Sequence, residues 1–385
     1  MTHLMNNYGK RSVTFVKGAG TRLYDDAGRE YLDFSSGIAV TNLGHAHPKV
    51  TAAIQEQAAT LLHVSNLFAT SGAEEVAAKL AELTGLDRVF FCNSGAEANE
   101  AAIKLARKHS KEKYGVHKHE ILTFTEGFHG RTLATVTATA RPKFQAGFEP
   151  LMPGFRYVDK DLEAVAAAIS DATCAILVEP VQGEGGVLPL EPSFLQGLRA
   201  LCDEKGLLLL FDEVQTGIGR TGTMFAFEQS GVVPDIVSLA KGLGNGAPVG
   251  ATVAREEVAT AFTPGTHGTT FGGNPLVMAA AKATLTAIEE ENLLANAKQM
   301  GEELASKLER LVEKFDFITT TRGLGLLRAL VLDRPAAPIV GACLERGLVL
   351  LTAGEHAVRF APPLIVTSQE IHEALSILED VLATV

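Results

Sequence analysis

The middle of the chain carries short runs that are apolar at every position. Ala175–Val178 and Leu207–Phe211 are two such runs, and they are typical of strands covered on both faces, as in a parallel sheet between helices. Segments with helical spacing lie between the runs, which predicts a doubly wound α/β domain. The predicted strands are Arg88–Cys92, Glu120–Phe124, Cys174–Val178, Leu207–Phe211, Ile236–Ala240 and Gly250–Val253. The predicted helices are 48–63, 72–84, 95–109, 161–170 and 192–205.

The two ends of the chain have a different pattern. Residues 21–34 predict a β-hairpin. After Pro275 the pattern predicts a long helical stretch over 275–314, broken near Glu291 and Asn292, and then short strands and a last helix from Ser368. The predicted organisation is therefore an N-terminal segment packed with a smaller domain (1–47), a large domain (48–275) and a smaller C-terminal α+β domain (276–385).

The composition excludes several classes of protein. The 385 residues include 46% apolar and 21% charged side chains, enough to bury a large core. The net charge of −11 argues against a nucleic-acid partner. The N-terminus lacks the apolar segment of a secretory signal, no run is long enough to cross a membrane, and the four cysteines are widely spaced. We therefore expect a cytoplasmic protein with reduced thiols and no membrane partner.

The first candidate site follows the strand at Arg88–Cys92. Ser94 and Glu97 have the spacing of a capping box at the start of a helix. The backbone N–H groups of Gly95 and Ala96 would then be available to bind a phosphate at the positive end of the helix dipole. An ordinary capped helix has the same spacing, so this motif alone does not establish a ligand.

Two further candidates follow buried strands. Asp212 comes directly after Leu207–Phe211, where a carboxylate is costly without a cationic partner. Lys241 follows the strand at 236–240 and precedes a glycine-rich segment. If it is partly buried and near another cation, its pKa would fall and the amine would become nucleophilic. Each has a plain structural alternative, which is a cap or ion pair for Asp212 and a solvent-reaching side chain for Lys241.

Together the three features fit one cofactor, pyridoxal 5′-phosphate. Lys241 would bind its aldehyde carbon, Asp212 would keep its pyridine nitrogen protonated, and Gly95 with Ala96 would hold the phosphate. Phe128 would stack on the ring. All of these residues are predicted at the carboxyl ends of strands or in loops near them, where open α/β sheets bind ligands.

Other cofactors have weaker support. Residues 217–222 match the glycine pattern of a nicotinamide site, but five residues separate them from the strand and no clear helix follows. No spaced set of His, Cys or carboxylates supports a metal site.

The ordered motifs resemble the class III (ornithine-type) pyridoxal-phosphate aminotransferases over nearly the whole chain. The matching blocks are 36–40, 44–48, 93–100, 128–132, 179–186, 212–217, 240–242, 269–275 and 359–364. The resemblance implies fold type I, with a large doubly wound, mostly parallel-sheet domain and a smaller α+β domain. It implies a homodimer with shared active sites, in which Thr270 reaches the partner's cofactor.

The resemblance also implies roles for individual residues. Lys241 is the implied catalytic residue, and the implied cofactor-binding set is Ser94, Gly95, Ala96, Phe128, Asp212, Val214, Gln215, Lys241 and Thr270. The implied substrate-binding set is Arg131, Glu184, Thr269 and Arg359. Arg131 would bind the substrate α-carboxylate, and Gln215 would donate to the phenolic oxygen of the cofactor. Glu184 would mask Arg359 until glutamate or 2-oxoglutarate displaces it.

Within the family, the Phe128–Thr132 block favours the branch that transfers the δ-amino group of N2-acetylornithine to 2-oxoglutarate, in arginine biosynthesis. The alternatives are transamination of ornithine, succinylornithine or 4-aminobutyrate, an aminomutase, and a binding protein built on an inactive enzyme fold. The last alternative predicts loss of Lys241, Asp212 or the phosphate site, and all three are intact.

Overall fold

The apolar runs of the middle of the chain form one seven-stranded sheet in the computed structural model, which describes residues 3–9 and 11–384. Positions 1, 2, 10 and 385, which the predicted domains include, lie outside the described residues. In chain order the strands are β1 Phe15–Ala19, β2 Arg22–Asp25, β3 Glu30–Asp33, β4 Arg88–Cys92, β5 Glu120–Phe124, β6 Phe155–Val158, β7 Thr173–Val178, β8 Val181–Gln182, β9 Leu188–Pro189, β10 Leu208–Asp212, β11 Ile236–Leu239, β12 Gly250–Ala254, β13 Ile318–Leu324, β14 Leu327–Leu332, β15 Leu348–Val349, β16 Leu351–Ala353 and β17 Ala357–Phe360.

Helices separate most of these strands. They are α1 Ser36–Ala39, α2 Pro48–Ala58, α3 Ser71–Thr84, α4 Gly95–Tyr114, α5 Leu133–Ala138, α6 Pro142–Gln145, α7 Leu162–Ala168, α8 Pro192–Lys205, α9 Glu256–Ala259, α10 Pro275–Glu290, α11 Leu293–Lys314, α12 Ala337–Glu345 and α13 Ser368–Leu382. Two 3₁₀ turns cover Ala226–Ser230 and Lys241–Gly244.

The large sheet has the strand order β4-β12-β11-β10-β7-β5-β6. The strands from β11 to β6 pair in parallel, and β12 runs antiparallel to both β11 and β4. Every residue of β7 is buried, as the apolar run predicted. The mostly parallel, doubly wound architecture is therefore confirmed.

The topology brings several carboxyl ends to one edge of this sheet. Since β12 is antiparallel to both of its neighbours, β4 runs in the same direction as β11, β10 and β7. The residues that follow these four strands, Asn93, Glu179, Glu213 and Ala240, therefore meet at the same edge, with Asp212 as the last residue of β10.

The C-terminal region forms a second sheet in the order β13-β14-β17-β16, with antiparallel pairs throughout. The N-terminal hairpin is confirmed as β2 and β3, and β3 pairs in parallel with β15 from the C-terminal region. The domain limits at 47/48 and 275/276 stay predictions. No helix among the described residues is long and apolar enough to cross a membrane.

Some predicted limits were wrong. Helix α2 ends at Ala58 rather than near residue 63, because the apolar Leu61 and Leu62 that extended the pattern are exposed. Helix α4 continues beyond residue 109 to Tyr114. Strand β13 was not predicted, since its threonines are partly or fully exposed and give no apolar run.

The turn labelled α1 has an unusual backbone. Ser36, Gly37, Ile38 and Ala39 all have positive φ, from 48° to 70°. For L-residues this left-handed conformation costs roughly 1–2 kcal/mol each. Hydrogen bonds from this turn compensate part of the cost, including Ser36 Oγ to the Ala361 carbonyl at 2.6 Å. The turn leads into Val40, which lines the cavity described next.

Candidate active site

A cavity of about 380 Å³ lies at the edge where the carboxyl ends meet. Eight of the nine predicted cofactor residues line it, namely Ser94, Gly95, Ala96, Phe128, Asp212, Val214, Gln215 and Lys241. A larger cavity of about 560 Å³ lies between α2, α3 and α10, but it contains none of the predicted site residues. The predicted cofactor-binding residues therefore concentrate in the smaller cavity.

The N-terminus of α4 opens into this cavity. Ser94 caps the helix, since its Oγ accepts from the Glu97 N–H at 3.2 Å. The reciprocal bond of the predicted capping box is displaced by one residue, because Glu97 Oε2 accepts from the Asn93 N–H at 2.6 Å. Within the described residues, the N–H groups of Gly95 and Ala96 donate no hydrogen bond. Two backbone donors are therefore free at the cavity wall.

Gly95 also permits a close contact across the cavity floor. A Cβ at this position would lie 2.5 Å from Val214 Cγ1, closer than side chains tolerate. Glycine therefore lets Val214, two residues beyond the end of β10, pack against the first turn of α4.

Asp212 is the centre of a buried hydrogen-bond network. Its side chain is almost inaccessible, and Oδ1 accepts from the Val214 N–H at 3.0 Å. Oδ2 accepts from Asn99 Nδ2 at 2.7 Å and from His129 Nδ1 at 2.8 Å. The sequence predicted that a carboxylate here needs a cationic partner, and the structure places His129, which is cationic when protonated, in that position.

Glu179 lies beside this network and was not predicted as a site residue. Glu179 is the first residue after β7, and Asp212 is the last residue of β10, so the two have similar positions on neighbouring strands. Glu179 Oε1 accepts from the Phe128 N–H at 2.7 Å. Burial raises the pKa of Glu179 to about 7, although the charge of His129 opposes the shift. The rule that singled out Asp212, a carboxylate at the end of an apolar strand, would also have identified Glu179.

Lys241 follows β11 and lines the same cavity. Its backbone is left-handed, with φ of 43°, and the adjacent Gly242 leaves no room for a Cβ, which would lie 2.3 Å from Asn42 Nδ2. Burial lowers the pKa of Lys241, partly offset by the charge of Glu184. A lowered pKa makes the neutral, nucleophilic amine more accessible at neutral pH.

The predicted pair of Glu184 and Arg359 is in contact. Arg359 on β17 is buried, and its Nη1 donates to Glu184 Oε1, to the Gly183 carbonyl at 3.2 Å and to Gln215 Oε1 at 3.2 Å. Burial disfavours the ionised Glu184, but the charge and hydrogen bond of Arg359 outweigh it and lower the pKa of Glu184. The Glu184 side chain is 26% exposed and that of Arg359 only 4%. The carboxylate is thus the more accessible member of the pair.

The remaining predicted residues lie at or outside the rim. Arg131 lines the cavity, with its Cζ 3.8 Å from the centre of the Phe144 ring and 5.5 Å from that of Phe128. Thr269 Oγ1 accepts from Asn93 Nδ2 at 3.3 Å. Thr270 lines a separate small recess. It therefore does not line the cavity that contains Lys241 of the same chain.

Comparison with known proteins agrees with this geometry. A family model described as aminotransferase class-III matches residues 4–382. The chain is similar to the acetylornithine aminotransferase of Gloeobacter violaceus, at 52% identity over 99% of this chain and 96% of the relative. It is also similar to the acetylornithine aminotransferase of Methanocaldococcus jannaschii, at 50% identity over 98% of this chain and 95% of the relative.

Solved structures show the same fold. The ornithine aminotransferase of Toxoplasma gondii matches with a TM-score of 0.96 and 35% identity, over 99% of this chain and 93% of that one. The acetylornithine aminotransferase of Elizabethkingia anophelis matches with a TM-score of 0.89 and 35% identity, over 100% and 97% of the two chains. The fold is therefore that of the type I aminotransferases. The chain belongs to the class-III aminotransferases, a family of transaminases that depend on pyridoxal phosphate.

Proposed function

We propose that this protein is an acetylornithine aminotransferase. It transfers the δ-amino group of N2-acetylornithine to 2-oxoglutarate, which gives N-acetylglutamate 5-semialdehyde and glutamate, a step of arginine biosynthesis. The assignment of this substrate rests on sequence identity of 50–52% to two acetylornithine aminotransferases over nearly the whole chain. The second candidate is ornithine transamination, because the Toxoplasma gondii structure with a TM-score of 0.96 is an ornithine aminotransferase.

The cavity fits pyridoxal phosphate by the chemistry of its donors and by its shape. The free N–H groups of Gly95 and Ala96 suit a phosphate. The ionisable Asp212 suits a protonated ring nitrogen, and Asn99 Oδ1 is a buried acceptor without a partner in the described chain. Gly95 has no Cβ, so Val214 packs directly against the first turn of α4 beside these donors. These features support Ser94, Gly95, Ala96, Val214, Phe128, Gln215 and Asp212 as the residues that hold the cofactor.

Lys241 is the group that reacts and moves protons. When bound, pyridoxal phosphate supplies an aldehyde that accepts an amino group and a ring that acts as an electron sink. Lys241 Nζ would hold the cofactor before the substrate arrives. In the first half-reaction its neutral amine would take the proton from the amine-bearing carbon of the donor as general base, and in the return half-reaction its ammonium form would deliver a proton to the carbonyl carbon of the acceptor as general acid. Burial favours this cycle, because it lowers the pKa of the Lys241 amine.

Glu184 and Arg359 let one site accept two different amino donors. The side chain of N2-acetylornithine is uncharged next to its reacting amine, so Glu184 remains on Arg359 and neutralises it. Glutamate and 2-oxoglutarate carry a carboxylate there, which replaces Glu184 and pairs with the Arg359 guanidinium. The greater exposure of Glu184 supports it as the member that moves. Arg131 and Thr269 bind the α-carboxylate at the rim.

A substrate panel tests the function. The purified protein, loaded with pyridoxal phosphate, is assayed with 2-oxoglutarate and N2-acetylornithine, ornithine, N2-succinylornithine or 4-aminobutyrate. We expect kcat/KM for N2-acetylornithine to exceed that for ornithine and 4-aminobutyrate by at least about tenfold, the discrimination that one polar contact supplies. A higher kcat/KM for ornithine would replace this proposal with the second candidate.

The exposed surface near Thr270 supports a homodimer. Four apolar side chains there are largely exposed, namely Leu62 (53%), Leu67 (87%), Phe68 (69%) and Phe271 (61%). A group of exposed apolar side chains is typical of a protein–protein interface. A second copy would bring Thr270 to the partner's cofactor and complete the phosphate site. We expect light scattering to give the mass of two chains, and Phe68→Asp to shift it toward one chain. A single-chain mass for the wild type at micromolar concentration would contradict the shared site.

We also place this activity in the cytoplasm. All four cysteines are buried and free, as is usual where thiols stay reduced.

A further inference from the structure

His129 hydrogen-bonds one buried carboxylate, Asp212, and a second, Glu179, lies nearby. Its Nδ1 is 2.8 Å from Asp212 Oδ2, and the exposed fractions of His129, Asp212 and Glu179 are 3%, 4% and 6%. A Cβ at Gly127 would lie 3.3 Å from His129 Nε2 and 3.6 Å from Glu179 Oε1, so both groups flank this glycine. A carboxylate has no hydrogen to donate, so the Nδ1 atom must be the donor to Asp212.

The surrounding chain fixes the backbone of His129 and the carboxylate of Asp212. The His129 backbone N–H donates to Thr139 Oγ1 at 2.9 Å, and its carbonyl accepts from Asn99 Nδ2 at 2.8 Å. The same Asn99 nitrogen donates to Asp212 Oδ2 at 2.7 Å. Asn99 therefore ties the His129 backbone and the Asp212 carboxylate together, and neither partner can turn away without breaking a buried hydrogen bond.

The charges at this position need a cation. Asp212 on β10 and Glu179 after β7 are two acidic groups in an apolar setting, and burying them ionised without a partner is costly. Arg359 is already paired with Glu184, and Lys241 is the amine that reacts. Among the described residues, His129 is the ionisable cationic group that hydrogen-bonds Asp212.

We propose that His129 is a positioning residue that remains protonated beside Asp212, with Glu179 nearby, and that its charge keeps Asp212 ionised and directed at the ring nitrogen of the cofactor. The proposal rests on the proposed function for its last step. His129 does not touch the reacting atoms, so it acts through Asp212. A neutral His129 could still donate its Nδ1–H, but it would leave the buried Asp212 and Glu179 without its positive charge, which favours protonation of the carboxylates. A protonated Asp212 could not hold the ring nitrogen in its protonated form.

The direction in which the pKa of His129 is shifted agrees with a protonated imidazole. Burial lowers the pKa of His129, but the hydrogen bond and charge of Asp212, with the charge of Glu179, outweigh it and raise the pKa above its ordinary value. A histidine with a raised pKa in the folded state contributes stability that is complete below about pH 6.5. That contribution is lost as the pH rises through the pKa of the folded state.

The first experiment measures the protonation state without added cofactor, so that it does not depend on the proposed function. The full-length protein is labelled with ¹⁵N-histidine, and the His129 imidazole is assigned through its backbone. We expect ¹⁵N shifts of an imidazolium at pH 7.5 in the wild type, and a neutral ring in Asp212→Asn at the same pH. A His129 that titrates at or below pH 6.5 in the wild type would overturn the proposal.

The second experiment measures the dissociation constant of pyridoxal phosphate. We expect His129→Phe to raise it about 10- to 100-fold, the effect of losing a hydrogen bond to a charged group. His129→Asn keeps an N–H donor but no charge, so it should fall between His129→Phe and wild type. His45 forms a matched pair with Asp33 at the same 2.8 Å outside the cavity, and His45→Asn should bind as wild type does.

Two outcomes separate this inference from the proposed function. Wild-type affinity in His129→Phe would overturn the role of His129 even in an active transaminase. A wild-type protein that fails to transaminate every substrate of the panel would overturn the proposed function, while the imidazolium shift of His129 would still be observed.

Discussion

Replacing Lys241 with alanine should lower transamination by about 10⁴-fold, the upper range for removal of a general acid–base group. The amine that lines the cavity is lost, and with it both the attachment of the cofactor and the proton carrier. The rate is measured as kcat/KM with N2-acetylornithine and 2-oxoglutarate, on protein whose unfolding temperature shows that it is folded.

A second lysine supplies the control. Lys160 is also partly buried, with a pKa lowered chiefly by burial, and it donates to Gln182 Oε1 at 3.1 Å and to the Thr125 carbonyl at 3.2 Å. It does not line the cavity, so Lys160→Ala should keep most of the activity. Normal turnover in Lys241→Ala would rule out the assigned chemistry.

The second large effect concerns only one half of the reaction. Arg359→Gln should slow the half-reaction with glutamate about 10²-fold, because it removes a charged hydrogen-bond donor from the incoming carboxylate. The half-reaction with N2-acetylornithine should change much less, since that substrate leaves Glu184 in place. Stopped-flow absorbance on the loaded protein measures the two half-reactions separately.

Two companion variants make this result specific. Glu184→Gln leaves Arg359 unmasked, so it should retain the glutamate half-reaction and slow the one with N2-acetylornithine. Arg220 is fully buried and donates to Asn42 Oδ1 at 2.7 Å, and none of its hydrogen bonds involves Glu184 or Arg359. Arg220→Gln should lower stability without changing the ratio of the two half-reactions. An equal loss of both half-reactions in Arg359→Gln would mean that Arg359 is structural.

Local patterns predicted much of the scaffold. Helix α8 begins at Pro192 and ends at Lys205 as expected, because proline at the start and the αL residue Gly206 at the end define both limits. The apolar runs of β7 and β10 predicted buried strands, and the rule that ligands lie beyond strand carboxyl ends then led to Asp212 and Lys241. Each of these signals depends on only a few neighbouring residues of the sequence.

Contacts between distant segments could not be predicted in this way. His129 and Asp212 are 83 residues apart in sequence and meet only through the order of the strands. Strand β12 also has an apolar sequence, and nothing in that pattern indicates that it runs antiparallel to its neighbours. The position of Thr270 outside the cavity depends on the path of a loop that the sequence pattern does not define.

Lys241 as the residue that carries the cofactor is the claim on which the others depend. The full-length protein is loaded with pyridoxal phosphate, reduced with borohydride, digested and mapped by mass spectrometry. We expect the added mass of one reduced cofactor on the peptide that contains Lys241, and none on the same peptide of Lys241→Ala. A tag on another lysine, such as Lys160, with Lys241 unmodified would contradict the assignment.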